Sequence, residues 1–390
     1  MAEAQRLIRV EASFAALSDT NPARRRPRAP WRPRPQAFWA AFEDRALWYD
    51  AFRDAESDDI LLIGPAPLDL EPGLRAASYV AQPSGAPLVA ELFPSRSTMI
   101  TRLTGAPAGT ASVSVTAFGE TFILPVQPNL SETFAGANIL FAINKDNRLD
   151  WIADWARWHA VLHGTDAVIL FDNGSRLYSL EALEQGLAAI PQLRHIAVIS
   201  VPHKFGPIDT SVLMTRFYPR FLQISVTNLA LRRFGMRAAG LVNCDIDELA
   251  WAGGESVYAR ARQSALGALR MRGRWIEAAR EPGAPERHLG FPFRRRDLRS
   301  GLSPSKWVLD PTRDWVRSLA VQPYLHRIHG APEAARRHDE AAMFFHFKGI
   351  NTNWKEKRTG SGPAIETLVK DEQLALASAA FRAAVEGTIL

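Results

Sequence analysis

Three carboxylates fall within four positions in "LVNCDIDELAW", residues 241–251: Asp245, Asp247 and Glu248. Apolar residues flank them on both sides, with Leu241 and Val242 before and Leu249, Ala250 and Trp251 after. Isolated charge in such surroundings is unfavourable unless it is paired or bound to a metal. If the piece stays extended, Asp245 and Asp247 share one side while Ile246 faces the core. Two carboxylates on one side form a hard-oxygen site for Mg2+ or Mn2+, which keeps open positions for phosphate oxygens. Such an ion on a diphosphate neutralises the charge of a departing nucleotide, which is Lewis-acid chemistry. An exposed acidic turn is the structural alternative.

Other polar clusters follow apolar runs. "FDNGS", residues 171–175, is turn chemistry at the end of "DAVILF", and it is also where a nucleoside would rest. There Asp172 could accept from a base or ribose, and the backbone at Asn173 and Gly174 permits close approach. "NKDN", residues 144–147, is similar, with Asp146 or Asn147 available to cap the next helix. In "FFHFKGINTNWK", residues 344–355, His346 could reach a metal while Lys348 and Lys355 reach phosphates; an aromatic core with a solvated loop is the alternative. His159 and His163, four apart on a Trp-rich helix, make a weak metal pair. The single cysteine, Cys244, reads as a small packing residue and excludes an internal disulfide framework, which favours a reducing compartment.

The elements that must position these groups follow two rhythms. Residues 37–55 space aromatics at helical intervals and predict an amphipathic helix. From about residue 59 to 128, short apolar or alternating runs broken by Pro and Gly predict a small antiparallel β module. From Asn138, "NILFAI", "DAVILF", "HIAVIS" and "AAGLVNC" read as buried strands separated by helices. The first helix carries Trp151, Trp155, Trp158 and Leu162 on one stripe and ends at Gly164. The expected fold class is α/β, a doubly wound, mostly parallel sheet with a smaller β-rich N-terminal module. Ligands bind such sheets beyond the carboxyl ends of the strands, and three of those ends are polar here. The expected division is a basic arm over 1–36, a helix plus β-rich module over 37–130, the α/β domain over 137–358 and a helical tail over 359–390.

The chain has 390 residues, 47% of them apolar and 23% charged, and a formal charge of +6. Those values describe an ordinary globular protein large enough for more than one compact unit. The run "ARRRPRAPWRPRP", residues 23–35, holds six arginines and no acid. It reads as a solvated arm kept irregular by proline; contact with anionic lipid or another subunit is the functional alternative. Dispersed basic residues elsewhere, without a reading motif, argue against nucleic acid as a partner. No run of about 18 apolar residues predicts a membrane span, and "MAEAQRLIRV" lacks a signal-peptide core, so a cytoplasmic protein, peripheral at most on the membrane, is expected.

Taken in order, the motifs from Asn138 to about Trp354 resemble the metal-dependent GT-A glycosyltransferases, especially the family 92 group and bacterial relatives of family 2. The matching pieces are "INKDNRLDWIADWARWHAVLHGTDAVILFDNGS", "QISVTNLALRRFGMRAAGLVNCDIDELAW", "SKWVLDP" and "FFHFKGINTNWKEK". They cover rather more than half the chain and leave out about the first 130 residues. The resemblance implies a GT-A-like fold, a UDP- or GDP-linked sugar donor, Mn2+ or Mg2+, and inverting transfer to a hydroxyl of a glycan or other acceptor, in surface polysaccharide or glycoconjugate synthesis. It implies that Asp245 and Asp247 hold the metal and donor diphosphate, that His346 completes that site, and that Asp172 lies at the nucleoside with Asn144 and Lys145 beside it. Lys306 would be a phosphate contact. Inversion also needs a base; Glu248, Asp310 and Asp314 are available, and Asp310, in "KWVLDP", departs from the basic or polar residue expected there.

Other classes use similar groups. A metal-dependent phosphohydrolase would offer more ligands for a second metal. A nucleotidyltransferase would carry a Gly-rich, lysine-bearing loop near the first strand, and "AINKDNRLD" lacks those glycines. A non-catalytic carbohydrate-binding scaffold, with the β module as its binding part, is the third alternative.

Overall fold

The computed structural model describes residues 5–207, 219–297, 301–352 and 363–387. The chain folds as a mixed α/β protein around one nine-stranded sheet, with several small sheets beside it. In chain order the nine strands are β1 (Arg6–Arg9), β2 (Asn138–Asn144), β3 (Ala167–Asp172), β4 (His195–Ser200), β5 (Gly240–Asn243), β6 (Glu248–Trp251), β7 (Ala268–Ile276), β8 (Leu302–Leu309) and β9 (His338–Phe347). Across the sheet they run β1-β4-β3-β2-β5-β8-β7-β9-β6. The first five are parallel. Beyond β5 the sheet is mixed: only β7 and β9 pair in parallel there.

Alternation along the parallel strands explains why they are strands. Leu140, Ala142, Val168, Leu170, Ile196 and Val198 face one core, against Trp151, Trp155 and Trp158 of α1 (Leu149–His163) and Leu183 and Leu187 of α2 (Leu180–Ala188). Ile139, Phe141, Ile169, Phe171, Ala197 and Ile199 face the other, against Leu222, Val226 and Leu229 of α3 (Phe221–Leu229). A strand buried on both faces must be apolar at successive positions, and these are. Helix α1 ends as expected at Gly164, whose φ of 69° closes the left-handed cap. Trp155 is fully buried, and truncating such a ring would cost roughly 3–5 kcal/mol.

The β module forms as expected: a four-stranded antiparallel sheet of Asp50–Arg53, Ile60–Pro65, Thr98–Thr104 and Val89–Pro94, and a three-stranded one of Glu120–Pro125, Ser112–Ala117 and Ser78–Gln82. Tyr49, Phe52, Leu61, Ile63 and Ile100 enter the same core as Phe141 and Phe171, so the module shares its interior with the main sheet. Two expectations fail here. The amphipathic helix over 37–55 shrinks to Gln36–Ala41, and Ala46–Trp48 and Asp50–Arg53 are strands. Their aromatic residues find pairing partners in Ile60–Pro65 and in Ala15, and that tertiary pairing outweighs a weak helical periodicity. Nor is the arginine-rich segment simply solvated. Arg25 is buried and donates to the carbonyls of Ala66 (2.7 Å), Glu43 (3.0 Å) and Ala46 (2.7 Å), so its donors are satisfied inside the fold.

Near the C-terminus, helix Glu372–Gly387 packs Phe381 on Trp158 of α1. No helix among the described residues is long and apolar enough to cross a membrane.

Register places the site. Pairing of Asn144 with Asp172, and of Phe141 with Asn243, brings the ends of β2, β3 and β5 to one edge. Antiparallel pairing of Val242 with Val308 carries Lys306 of β8 to the end of β5. Only residues 244–247 link β5 to β6, although three strands separate them in the sheet. Asn243 and Glu248 are five Cα steps apart, at most about 18 Å when extended. The turn bond from the Glu248 amide to the Asp245 carbonyl shortens that reach well below the four strand spacings of about 4.8 Å between them, so the antiparallel half curls back toward β5. That curl sets Glu248 of β6 opposite His346 of β9.

Candidate metal centre

The carboxylate segment is a turn. Strand β5 stops at Asn243, Ile246 and Asp247 form the bend, and β6 starts at Glu248. The Glu248 amide donates to the Asp245 carbonyl at 2.9 Å, and the Asp245 amide donates to the Glu248 carboxylate at 2.9 Å. His288 Nε2 lies 2.8 Å from the Ile246 carbonyl and holds the bend from outside. The extended arrangement with Asp245 and Asp247 on one side is therefore corrected: a four-residue link between strands that close a curled sheet has to bend. Asp245 and Asp247 diverge as a result, and Glu248 takes the inward place.

Asp245 meets Lys306, whose ammonium stands 2.9 Å from Asp245 Oδ2 and 3.0 Å from Glu248 Oε2 with no solvent exposure. Burial opposes charge on Lys306, yet the carboxylates of Asp245 and Glu248 hold its pKa above the usual lysine value. Burial also pushes Glu248 up to about 7, against the pull of Lys306. Lys306 thus neutralises the carboxylates, a correction to its expected role as a phosphate contact. An ammonium without solvent needs a carboxylate partner, and β8 brings two.

Asp247 meets His346. Its Oδ2 lies 3.1 Å from His346 Nε2, and the Ser303 hydroxyl lies 2.7 Å from Nδ1. The imidazole stacks on Trp275, ring centroids 3.8 Å apart, so its orientation is held on three sides. Glu248 Oε1 is 3.6 Å from Nδ1. Asp247, Glu248 and His346 form a group that could hold a metal ion, one donor atom from each lying within 4.8 Å of the others. Adjacent ligands on an octahedral ion at about 2.1 Å stand about 3.0 Å apart, close to the Asp247–His346 separation. An imidazole nitrogen with hard carboxylate oxygens suits a borderline divalent ion. The candidate ligands of the sequence were Asp245, Asp247 and His346; two of them are in the group, and Glu248 replaces Asp245.

At the neighbouring strand ends the polar residues satisfy one another. Asn144 donates to Asp172 Oδ1 at 2.8 Å and to the Tyr178 hydroxyl at 3.0 Å. The same carboxylate accepts from the Ser175 amide (2.9 Å) and hydroxyl (2.6 Å). Asn173 donates to the carbonyls of Val201 (2.6 Å) and His203 (2.8 Å). These contacts make a rigid floor in which Asp172 and Asn144 are buried. Lys145 follows directly, and its carbonyl is 3.5 Å from the Thr352 hydroxyl, which brings the segment after β9 to the same edge.

Of the other expected site residues, Lys348 stays beside the centre, its ammonium 5.6 Å from the centroid of the Trp275 ring on which His346 stacks, while Asp310 and Asp314 do not. Lys348 donates to both oxygens of Glu277, at 2.8 and 2.9 Å, because that buried carboxylate is the nearest counter-charge. Asp310 is at the opposite edge of the sheet. The pairing of Leu309 with Leu241 sets it beside the start of β5, four residues and about 13 Å along β8 from Lys306. There it accepts from Thr312 and Arg313 and closes a turn, so it is no base at this site. Asp314, at 100% side-chain exposure, likewise shares no part of it. Lys355 lies outside the described residues.

His159 and His163 have their ring nitrogens turned to backbone groups: Nδ1 of His159 is 2.8 Å from the Trp155 carbonyl, and Nε2 of His163 is 2.9 Å from the Ala250 carbonyl. Burial holds them at about 3 and about 4, neutral links between α1 and β6. Cys244 is a buried packing residue as expected.

Comparison with protein-family models finds no match, and comparison with curated proteins finds none either.

Proposed function

We propose that the protein is a metal-dependent glycosyltransferase, with a doubly wound GT-A-like core, that moves a sugar from a UDP- or GDP-linked donor to an acceptor hydroxyl with inversion. The observation that carries this reading is the donor set Asp247, Glu248 and His346, set beside the ends of parallel strands where α/β sheets take ligands. A bound Mn2+ or Mg2+ would neutralise charge on the donor diphosphate. Asp247, Glu248 and His346 would hold that ion, with Ser303 and Trp275 keeping the imidazole in place. The Asn144–Asp172–Ser175 floor, with Lys145 and Asn173 at its rim, offers a preformed platform for the nucleoside. Lys306 keeps the carboxylates from repelling one another when the ion is away. Of the base candidates in the sequence, Glu248 alone stands at the site, but as an ion ligand paired with Lys306 and with 1% side-chain exposure it is not free to take the acceptor proton, so the base lies outside those three candidates.

Three candidate ligands favour a single ion, which fits a nucleotide-sugar site better than a two-metal hydrolase. Synthesis of a surface polysaccharide or glycoconjugate, at the cytoplasmic side of a membrane, is part of the same proposal.

Calorimetric titration with UDP and GDP, with and without Mn2+, tests it. Wild type should bind one nucleotide diphosphate only with the ion, and Asp247→Asn/His346→Ala should lose that binding while staying folded. A folded wild type that binds neither nucleotide in either condition would overturn the proposal.

A further inference from the structure

Beside the candidate metal centre lies a cleft of about 850 Å3 that the proposed reaction has not used. The bend between Val89–Pro94 and Thr98–Thr104 forms one wall, the start of α3 another, and residues 324–336 a third. Five arginines line it: Arg96, Arg220, Arg270, Arg327 and Arg336. His326 and His329 join them, and no carboxylate lines the cleft among the described residues. The chain as a whole is nearly balanced, with 47 basic and 41 acidic residues, so this is a local segregation of charge.

Neutral acceptors serve the inner arginines. Arg270 donates to the Arg336 carbonyl (3.0 Å) and the Ser305 hydroxyl (3.1 Å), and Arg336 donates to the Ala331 carbonyl (3.0 Å). Among the described residues no carboxylate pairs with either, and burial, with the charge of Arg327, lowers the pKa of Arg270. Guanidinium groups served by neutral acceptors, as Arg270 and Arg336 are, fit forked contacts to carboxylate or phosphate. A volume of this size takes a ligand of a few sugar units. Apart from the two histidines, Tyr324 is the one aromatic residue among the described lining, and its hydroxyl is tied to Ser95 (3.0 Å) and the Ser97 amide (3.1 Å). Base-stacking platforms of the kind that hold single-stranded nucleic acid are therefore lacking among the described residues.

The cleft and the carboxylates share a frame. Pro304 lines the cleft, and Lys306 stands two residues along the same strand. His326 Nδ1 is 2.9 Å from the Ser305 carbonyl, and Asn243, at the end of β5, donates to the Leu325 carbonyl at 2.9 Å. A chain lying in the cleft passes His326, which feels the charges of Lys306 and Asp245.

We propose that this cleft is the acceptor site and takes a short glycan bearing several anionic groups, carboxylate or phosphate, with the β module supplying Arg96 as part of the wall. The word acceptor rests on the glycosyltransferase reading; the anionic chemistry rests on the cleft alone.

Three hexamers test it by calorimetry, without donor: hexagalacturonate for carboxylates, a glycerol-phosphate hexamer for phosphates, and neutral maltohexaose. Each is titrated into wild type and Arg96→Ala/Arg327→Ala, two exposed positions whose change leaves the fold intact. At least one anionic hexamer should bind, more weakly as salt rises, and which of them binds identifies the anionic source. Maltohexaose should not bind. The double variant should weaken anionic binding about tenfold or more and leave metal-dependent UDP or GDP binding unchanged. Equal affinity in variant and wild type, equal binding of maltohexaose, or no binding of either anionic hexamer overturns the proposal. Loss of nucleotide binding in the double variant also overturns it, by giving the cleft to the donor. Anionic binding in a wild type that takes no nucleotide would sink the transferase reading and keep the anion site.

Discussion

Replacing Lys306 with methionine tests the electrostatics on which the centre depends. The ammonium has no solvent exposure and sits 2.9 Å from Asp245 and 3.0 Å from Glu248. At an effective dielectric of about 20, each contact carries roughly 5 kcal/mol of Coulomb attraction, most of it offset by desolvation. Methionine keeps the volume and removes the charge, leaving Glu248, with 1% side-chain exposure, only the Asp245 amide and His346 as polar neighbours among the described residues. Breaking a buried pair in this way costs about 3–5 kcal/mol. Glu248 has one escape, which is to take up a proton. Its pKa already stands at about 7, raised from 4.5 by burial, and it rises further without Lys306. A carboxyl raised in this way contributes stability fully below its unfolded pKa and loses it as pH climbs through the folded value. The variant should therefore lose about 3 kcal/mol or more near pH 8 and less near pH 6, the loss changing by up to about 1.4 kcal/mol per pH unit. Urea unfolding followed by the 11 tryptophans reads this directly against wild type. Equal midpoints for the two proteins near pH 8 would refute the reasoning.

Asp310→Asn should leave nucleotide and metal binding intact and cost about 1 kcal/mol, since it weakens only the turn contacts to Thr312 and Arg313; calorimetry with thermal melting checks both halves. His159 and His163, held at about 3 and about 4, must stay neutral in the fold and take up protons on unfolding. Depressed histidines give stability that is complete above about pH 6.5 and lost as pH falls toward their folded values, up to about 3 kcal/mol for His163 alone. His163→Gln should flatten that acid limb in urea midpoints taken between about pH 4 and 7; an unchanged limb would refute the assignment.

The strands from Asn138 to Asn243 were legible because each is apolar at successive positions between polar ends, a pattern set by neighbours in the chain. Helix α1 was legible for the same reason, with its tryptophan stripe and Gly164 cap. So were the β module and the burial of Cys244. The importance of Asp245, Asp247 and Glu248 was visible from their crowding among apolar residues, and His346 from its place among aromatics.

Partners were not legible. Lys306 lies 61 residues from Asp245, and His346 lies 99 from Asp247, so each contact follows from which strands become neighbours. The bend that parts Asp245 from Asp247 follows from the curl of the sheet, and the removal of Asp310 follows from the direction of β8. The arginines of the cleft, scattered from Arg96 to Arg336, leave no local pattern at all. Periodicity and turn chemistry depend on a few adjacent residues, so the sequence alone determined most elements and which residues carry charge inward. Coulomb interactions depend on distance through space, so only the tertiary structure decided which charge meets which.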